Sequence, residues 1–219
     1  MGYNPRDKYF LKAKKEGFAA RSVYKLQEID QQFKIFRPGQ TVLDLGASPG
    51  SWSQYASEKI GQSGRLLGVD LSPMTVSMGN CVFLQADLRD LKLVDVFREH
   101  GFQGAFDIVM SDMAPKTTGI RFADQARSLE LCELALDVAH RFLKPNGTFV
   151  CKFFQSGEFG NLRGQIKREY ERVTAVKPDS TRSISKEIFL VGLKKKVITP
   201  RPSTSNSTLT DDIDQSSSL

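Results

Sequence analysis

Cysteine is scarce in this chain, with three residues in 219. Cys81, Cys132 and Cys151 form no CxxC pair. An odd number at wide spacing argues against a disulfide framework and against a zinc site. Cys132 and Cys151 fall in apolar patterns and read as core residues. No apolar run approaches the roughly 20 residues of a membrane helix. The first residues, Met1-Gly2-Tyr3-Asn4-Pro5-Arg6, lack the apolar stretch of a signal peptide. There is no internal repeat. The GxGxxG turn of dinucleotide enzymes is missing as well. These absences lead us to expect a cytoplasmic protein with no membrane partner, no metal and no nicotinamide cofactor.

The residues that are present suit one α/β domain with short extensions. Apolar residues make up 40% of the chain, including 15 Phe, which is enough for a sizeable core. The net charge is +6. Residues 1–37 hold nine Lys or Arg against four Asp or Glu, with Tyr3, Tyr9, Phe10, Phe18 and Tyr24 among them. Cations mixed with aromatics at the head of a domain suggest a surface for a polyanion. Residues 199–219 differ: ten of 21 are Ser or Thr. That stretch cannot bury enough apolar surface to offset its ordering entropy, so 198–219 reads as an unstructured tail.

Between these ends, strands alternate with helices. Apolar spacing predicts a helix over Ala19–Phe33. Strands follow at Thr41–Leu45, Arg65–Asp70, Cys81–Gln85, Phe106–Ser111 and Thr148–Phe154. Helices are expected at Ser51–Ile60, at Leu91–His100, over a long stretch after Gly119 with Leu129, Cys132, Leu136, Ala139 and Leu143 at 3,4 spacing, and at Phe159–Tyr170. Lys144-Pro145-Asn146-Gly147 reads as a turn. The last strands, Val173–Val176 and Glu187–Leu193, have no helix between them and should pair antiparallel. The fold class expected is therefore α/β, a seven-stranded, mostly parallel, Rossmann-like sheet with helices on both faces, as in class I methyltransferases. The divisions expected are 1–37 as a basic RNA-binding extension and helix, 38–197 as the methyltransferase domain, and 198–219 as tail.

Gly46-x-x-x-Gly50 follows the first strand and opens a helix. The arrangement brings backbone N–H groups to a ligand at a helix amino terminus. Without the middle glycine of the dinucleotide turn, close approach to a pyrophosphate is not provided. A cofactor with adenosine but no phosphate fits better, and S-adenosylmethionine is the obvious candidate. Asp70 ends the second strand, where it can accept bonds from ribose hydroxyls. Asp87 follows the third, where it can meet an adenine amino group. Trp52 has two readings, core packing or a wall of the cofactor pocket. The pocket expected comprises Gly46, Gly50, Trp52, Asp70 and Asp87.

Lys152 lies inside the apolar run Phe149-Val150-Cys151-Lys152-Phe153-Phe154. A buried lysine is costly unless paired or neutralised. Asp112 at a strand end, Lys25 in the basic helix and Glu187 opening the last strand supply candidate partners. Two lysines and two carboxylates beside a nucleotide-type turn suggest an enzyme that uses a lysine as a base. The bland alternative is a pair of ordinary ion pairs at the sheet edge.

Five segments carry a family resemblance. They are Arg21-Ser22-Val23-Tyr24-Lys25-Leu26; Asp44-Leu45-Gly46-Ala47-Ser48-Pro49-Gly50-Ser51-Trp52-Ser53-Gln54; Ser111-Asp112-Met113-Ala114-Pro115; Val150-Cys151-Lys152-Phe153-Phe154; and Ser185-Lys186-Glu187. In this order, over about residues 6–195, the chain resembles the FtsJ/RrmJ (RlmE-type) ribose 2′-O-methyltransferases. The resemblance implies a catalytic tetrad of Lys25, Asp112, Lys152 and Glu187, with Lys152 as the base. It implies S-adenosylmethionine contacts at Gly50, Trp52, Asp70, Asp87 and Asp112. Bacterial members modify a uridine of large-subunit (23S) ribosomal RNA, so the partner implied is ribosomal RNA within the large subunit, met by a monomeric enzyme. Where the family often has Ala-Pro-Gly-Gly-Trp, this chain has Ser48-Pro49-Gly50-Ser51-Trp52, a change expected to alter the loop slightly. Residues 7–17 are also similar to the start of related transfer-RNA enzymes, which makes a tRNA ribose methyltransferase the alternative. A non-catalytic RNA-binding assembly factor is a further alternative, disfavoured by the intact tetrad.

Overall fold

The computed structural model describes residues 8–90, 92–102 and 105–197. The tail 198–219 and the first seven residues lie outside them, as does Leu91, where one helix was expected to begin. The elements run α1 (Lys8–Lys15), α2 (Val23–Phe33), β1 (Thr41–Leu45), α3 (Ser51–Ile60), β2 (Arg65–Asp70), β3 (Cys81–Gln85), α4 (Leu93–Glu99) and β4 (Phe106–Ser111). They continue with α5 (Arg121–Phe142), β5 (Leu143–Phe154), α6 (Phe159–Glu169), β6 (Tyr170–Val176) and β7 (Glu187–Lys195). One seven-stranded sheet has the order β3-β2-β1-β4-β5-β7-β6. The pairs from β3 to β5 are parallel, and β7 pairs antiparallel with both β5 and β6.

Strand alternation builds a core on each face of the sheet. Val42, Leu66, Ile108, Met110, Val150 and Val191 meet helices α2 and α3 through Val23, Leu26, Ile29, Ala56 and Ile60. Their sequence neighbours Leu43, Leu67, Val109, Phe149, Cys151 and Leu190 turn to the opposite face, against α4, α5 and α6. Each fully buried side chain of this size stabilises the fold by about 1.5–3 kcal/mol, so this alternation sets the register.

Four of the differences from expectation exceed two residues. Helix α1 lies where only a polar basic extension was expected. It docks through Ala13 and through Tyr9, whose ring lies 5.4 Å from that of Tyr24. Helix α2 starts at Val23 and not Ala19, after a turn. Strand β5 starts at Leu143, because Leu143 pairs with Phe106 ahead of a bulge and Thr148 resumes the ladder opposite Ile108. The expected turn Lys144–Gly147 is that bulge. Strand β6 begins at Tyr170, whose buried ring stacks on Phe149 at 6.0 Å.

Strand order reverses between β1 and β4. In open α/β sheets the crevice beyond the carboxyl ends at such a reversal is where ligands bind. The ends of β1, β4 and β5 carry Gly46, Asp112 and Lys152.

Candidate functional site

The turn after β1 is shaped by two glycines. Gly46 has φ +78, and a Cβ there would come within 2.6 Å of the Met113 side chain. Gly50 has φ +118, and its Cβ would meet Val76 at 2.2 Å. Any larger residue would push the β1 turn away from the β4 end or away from the 72–78 loop. Beside the turn lies a cavity of about 310 Å³, lined by Gly46, Ser48, Asp70, Asp87, Asp112 and Met113 among others. Asp70 accepts the Ser48 N–H at 3.0 Å and the Ser72 N–H at 2.7 Å. It therefore shapes two loops, while each carboxylate oxygen keeps a further lone pair for a ligand. Asp87 accepts the Arg89 backbone N–H at 3.0 Å through Oδ1, which also faces the Arg89 side chain at 3.1 Å. The Arg89 side chain and backbone together hold the Asp87 carboxyl below its usual range.

Gly50 and Trp52 do not line this cavity. Trp52 is 2% exposed, and its ring lies 5.6 Å from that of Phe189. Its indole N–H donates to the Ser22 carbonyl at 2.9 Å. Of the two sequence readings for the Trp52 side chain, core packing is the one the structure shows. The bond has a consequence for the site, because it ties the start of α3 to the start of α2. Ser51 adds a second tie, hydroxyl to hydroxyl with Ser22 at 2.9 Å. The departure at position 51 thus finds a partner in Ser22.

Beneath the turn, Asp44 is wholly buried. It accepts the Ser53 hydroxyl at 2.6 Å, and its other oxygen has no hydrogen-bond partner among the described residues. Burial pushes this carboxyl up to about 7; the Ser53 bond opposes the shift, and Asp112 and Asp70 add to it. Asp44 belongs to the glycine-turn motif, but nothing in its sequence setting marks it for a role of its own.

Lys152 is 8% exposed. Its ammonium donates to the Asp112 carboxylate at 2.9 Å and also to the Asp112 backbone carbonyl. Lys25 forms an ion pair with Glu187, both largely shielded from solvent. The β5–β7 register sets Lys152 opposite Phe189 and Phe154 opposite Glu187. All four side chains therefore leave the same face of the sheet, with Lys152 and Glu187 diagonal neighbours. The Lys25 ammonium lies 5.9 Å from the centre of the Phe189 ring. The four expected residues thus converge as two ion pairs on one sheet face.

A second cavity, of about 560 Å³, opens at the Lys25–Glu187 pair, lined by Lys25, Glu187, Phe154, Ala114, Pro115 and Arg182 among others. Ala114 also lines the first cavity, so the two meet at the segment that follows β4. Asp112 faces the first cavity and bonds Lys152, while Lys25 lines the second. Arg21 and Ser22 belong to the second wall too. Burial and the neighbouring Arg182 push Arg21 down from its usual value, and Glu187 pulls the other way. Arg21 donates to the Ser180 carbonyl, and Glu28 accepts the backbone N–H groups of Asp179 and Ser180. Helix α2 thereby grips the loop that carries Arg182 and Glu187. Nothing in the sequence signals this grip, because the contacts span more than 150 positions.

Strand order, the glycine turn and the acidic strand ends define a class I methyltransferase. Known proteins narrow this. Residues 18–195 match the FtsJ-like methyltransferase family, and the chain belongs to it. A relative from Bdellovibrio bacteriovorus, named "Ribosomal RNA large subunit methyltransferase E", is 73% identical over 196 residues, which is 90% of this chain and 100% of that protein. One of the same name from Syntrophobacter fumaroxidans is 50% identical, covering 89% of this chain and 98% of its own. A solved structure from Plasmodium falciparum, titled a ribosomal RNA methyltransferase, superposes with a TM-score of 0.69 at 26% identity. It covers 81% of this chain and 98% of its own.

Proposed function

We propose that this methyltransferase acts on large-subunit ribosomal RNA, placing a methyl group from S-adenosylmethionine on a ribose 2′-hydroxyl, that of a uridine. The name shared by relatives up to 73% identical supports the RNA substrate. The observation that carries the chemistry is the Lys152–Asp112 pair, whose carboxylate faces the first cavity two residues before Ala114, the residue both cavities share.

The first cavity suits the cofactor. Gly46 lets Met113 close against the turn at the cavity wall, and Asp70 and Asp87 offer acceptors for ribose hydroxyls and an adenine amine. When bound, S-adenosylmethionine supplies an electrophilic methyl group. The second cavity suits a nucleotide, with Arg21, Lys25 and Arg182 at its wall for phosphates. Lys152 in its neutral form takes the proton from the 2′-hydroxyl, and Asp112 fixes the position of its nitrogen. Lys25 and Glu187 hold the nucleotide side of the site, Glu187 by positioning Lys25. The basic last turn of α1, with Lys12, Lys14 and Lys15, extends the phosphate-binding surface.

Mapping 2′-O-methylated, nuclease-resistant dinucleotides in cells with and without the gene tests this reading. Loss of a uridine-containing dinucleotide from large-subunit ribosomal RNA is expected. A loss confined to transfer RNA would contradict the substrate.

A further inference from the structure

Large apolar side chains are seldom left in water beside one another, yet two stand out a few residues after the chain leaves the wall of the second cavity at Thr117. Phe122 is 82% exposed and Ile120 65% exposed. They flank the exposed Arg121 where the chain enters α5. Their display is built. Asp124, itself buried, accepts the Thr118 N–H at 2.8 Å, the Thr118 hydroxyl at 2.9 Å and the Gly119 N–H at 3.2 Å. Those bonds close the turn that precedes Ile120. One helical turn on, Gln125 donates to the Gln155 carbonyl at 2.7 Å, just past β5. Further along α5, the Ser128 hydroxyl accepts the Phe154 N–H at 3.0 Å. The first turns of α5 are thus fastened to the strand end whose Phe154 lines the second cavity.

Distance and charge point to the occupant. Lys116 and Thr117 line the second cavity, and Phe122 follows five residues after Thr117, at most ~18 Å of chain. That is the span of a few nucleotides. Between 116 and 129 the chain has three cations, Lys116, Arg121 and Arg127, and one acid, Asp124, whose oxygens are turned inward to the 118–119 turn. An exposed aromatic ring among cations is a surface for an unpaired base with phosphates on either side.

We propose that Phe122, flanked by Ile120, is a stacking platform for an unpaired base of the RNA near the reactive nucleotide, with Lys116 and Arg121 meeting its phosphates. This rests on the RNA reading above and adds a residue that selects single-stranded over duplex RNA around the target. Phe122 is not among the four residues of the two ion pairs and lies outside the cavity wall, so it is a binding residue and not a catalytic one.

The chain has one Trp, the buried Trp52, which makes Phe122→Trp a clean reporter. Titrating that variant with single-stranded large-subunit RNA fragments should quench an exposed indole. The same fragments annealed to their complements should quench it far less, as should heparin, which offers charge without bases. In RNA-binding titrations Phe122→Ala should raise Kd about 5–150-fold, the equivalent of one aromatic–base stack. Phe122→Tyr should retain wild-type affinity, and Phe122→Leu should not. Single-turnover rate at saturating RNA should not change in any of them. Equal quenching by duplex, wild-type affinity in Phe122→Ala, or full rescue by Leu would each overturn the platform. A defect seen only with assembled subunits and not with protein-free RNA would mean that the patch meets protein, which also overturns it. Binding is read separately from methyl transfer. An enzyme that stacks RNA on position 122 but methylates no ribose would sink the proposed chemistry and leave this inference standing.

Discussion

Lys152 and Lys195 are buried to the same degree, 8% and 7% exposed, at opposite ends of the molecule's central strands. Their surroundings differ in kind. Lys195 donates to the carbonyls of Ala139 at 2.8 Å, Leu143 at 3.0 Å and His140. These carbonyls lie at the end of α5, where a cation is favoured by the helix dipole. All three of its donors are used, and none of its partners lines a cavity of the site. Burial pushes it below its usual value while Glu169 pulls it up. Among the described residues the Lys152 ammonium instead bonds Asp112 alone, and Asp112 faces the first cavity. A lysine whose donors are consumed by backbone is a cap. A lysine held by one residue that itself faces a cavity, with two of three donor positions used, has one left for a substrate.

Exchanging each lysine separates the two roles. Lys152→Ala should lower the single-turnover rate about 10²–10⁴-fold, the usual contribution of acid–base catalysis. Cofactor affinity, read by calorimetry, should barely move. Lys195→Ala should do the opposite. It leaves buried carbonyls at the α5 end unsatisfied, costing about 1–3 kcal/mol of stability by denaturant unfolding. Its turnover at permissive temperature should stay near wild type. A Lys195 variant that is stable but inactive would erase the distinction.

Within the catalytic end, the cofactor and reaction sides can also be separated. Asp70→Ala should weaken S-adenosylmethionine binding by about 1–3 kcal/mol, through a lost charged acceptor and loosened Ser48 and Ser72 turns. Unchanged affinity in calorimetry would remove Asp70 from the cofactor side.

Asp44 sharpens the contrast between paired and unpaired buried charge. Its folded-state value of about 7 lies above the unfolded 3.8, so the folded chain binds more protons than the unfolded one between them. The stabilisation this gives is complete below the unfolded value and is lost as pH rises through about 7. Wild type should therefore lose stability from pH 5 to 8 relative to Asp44→Asn, by up to about 1.4 kcal/mol per pH unit. Parallel Tm profiles for the two proteins would place the ionisation elsewhere.

The contrast between the lysines also marks what a sequence can tell. Lys152 interrupts an apolar strand with Phe149, Val150, Cys151, Phe153 and Phe154 around it, so its burial follows from the local pattern alone. Lys195 stands in Lys194-Lys195-Lys196, where nothing separates the buried lysine from its neighbours, because burial there depends on an α5 end more than 50 positions away. The sheet was legible for the same reason as Lys152: runs such as Val42-Leu43-Asp44-Leu45 carry their own pattern. Helix α1 was not, since its single buried residue is Ala13 and its polar surface hides the fold of Tyr9 onto Tyr24. Trp52 was legible as important, and its partner Ser22 was not. The tie of α2 to the 177–186 loop through Glu28 and Arg21 is a contact between surfaces that no local pattern encodes.

The central claim is that Lys152 removes the proton from a ribose hydroxyl. The measurement that tests it most directly is single-turnover methylation of large-subunit RNA against pH, for wild type and Lys152→Arg. Arginine keeps the charge and can still pair with Asp112, but it does not give up its proton in a protein. The account predicts that the Lys152→Arg enzyme binds cofactor and RNA normally and loses about 10²–10⁴-fold in rate at every pH. A Lys152→Arg enzyme as fast as wild type would contradict it, and would leave Lys152 with an electrostatic role alone.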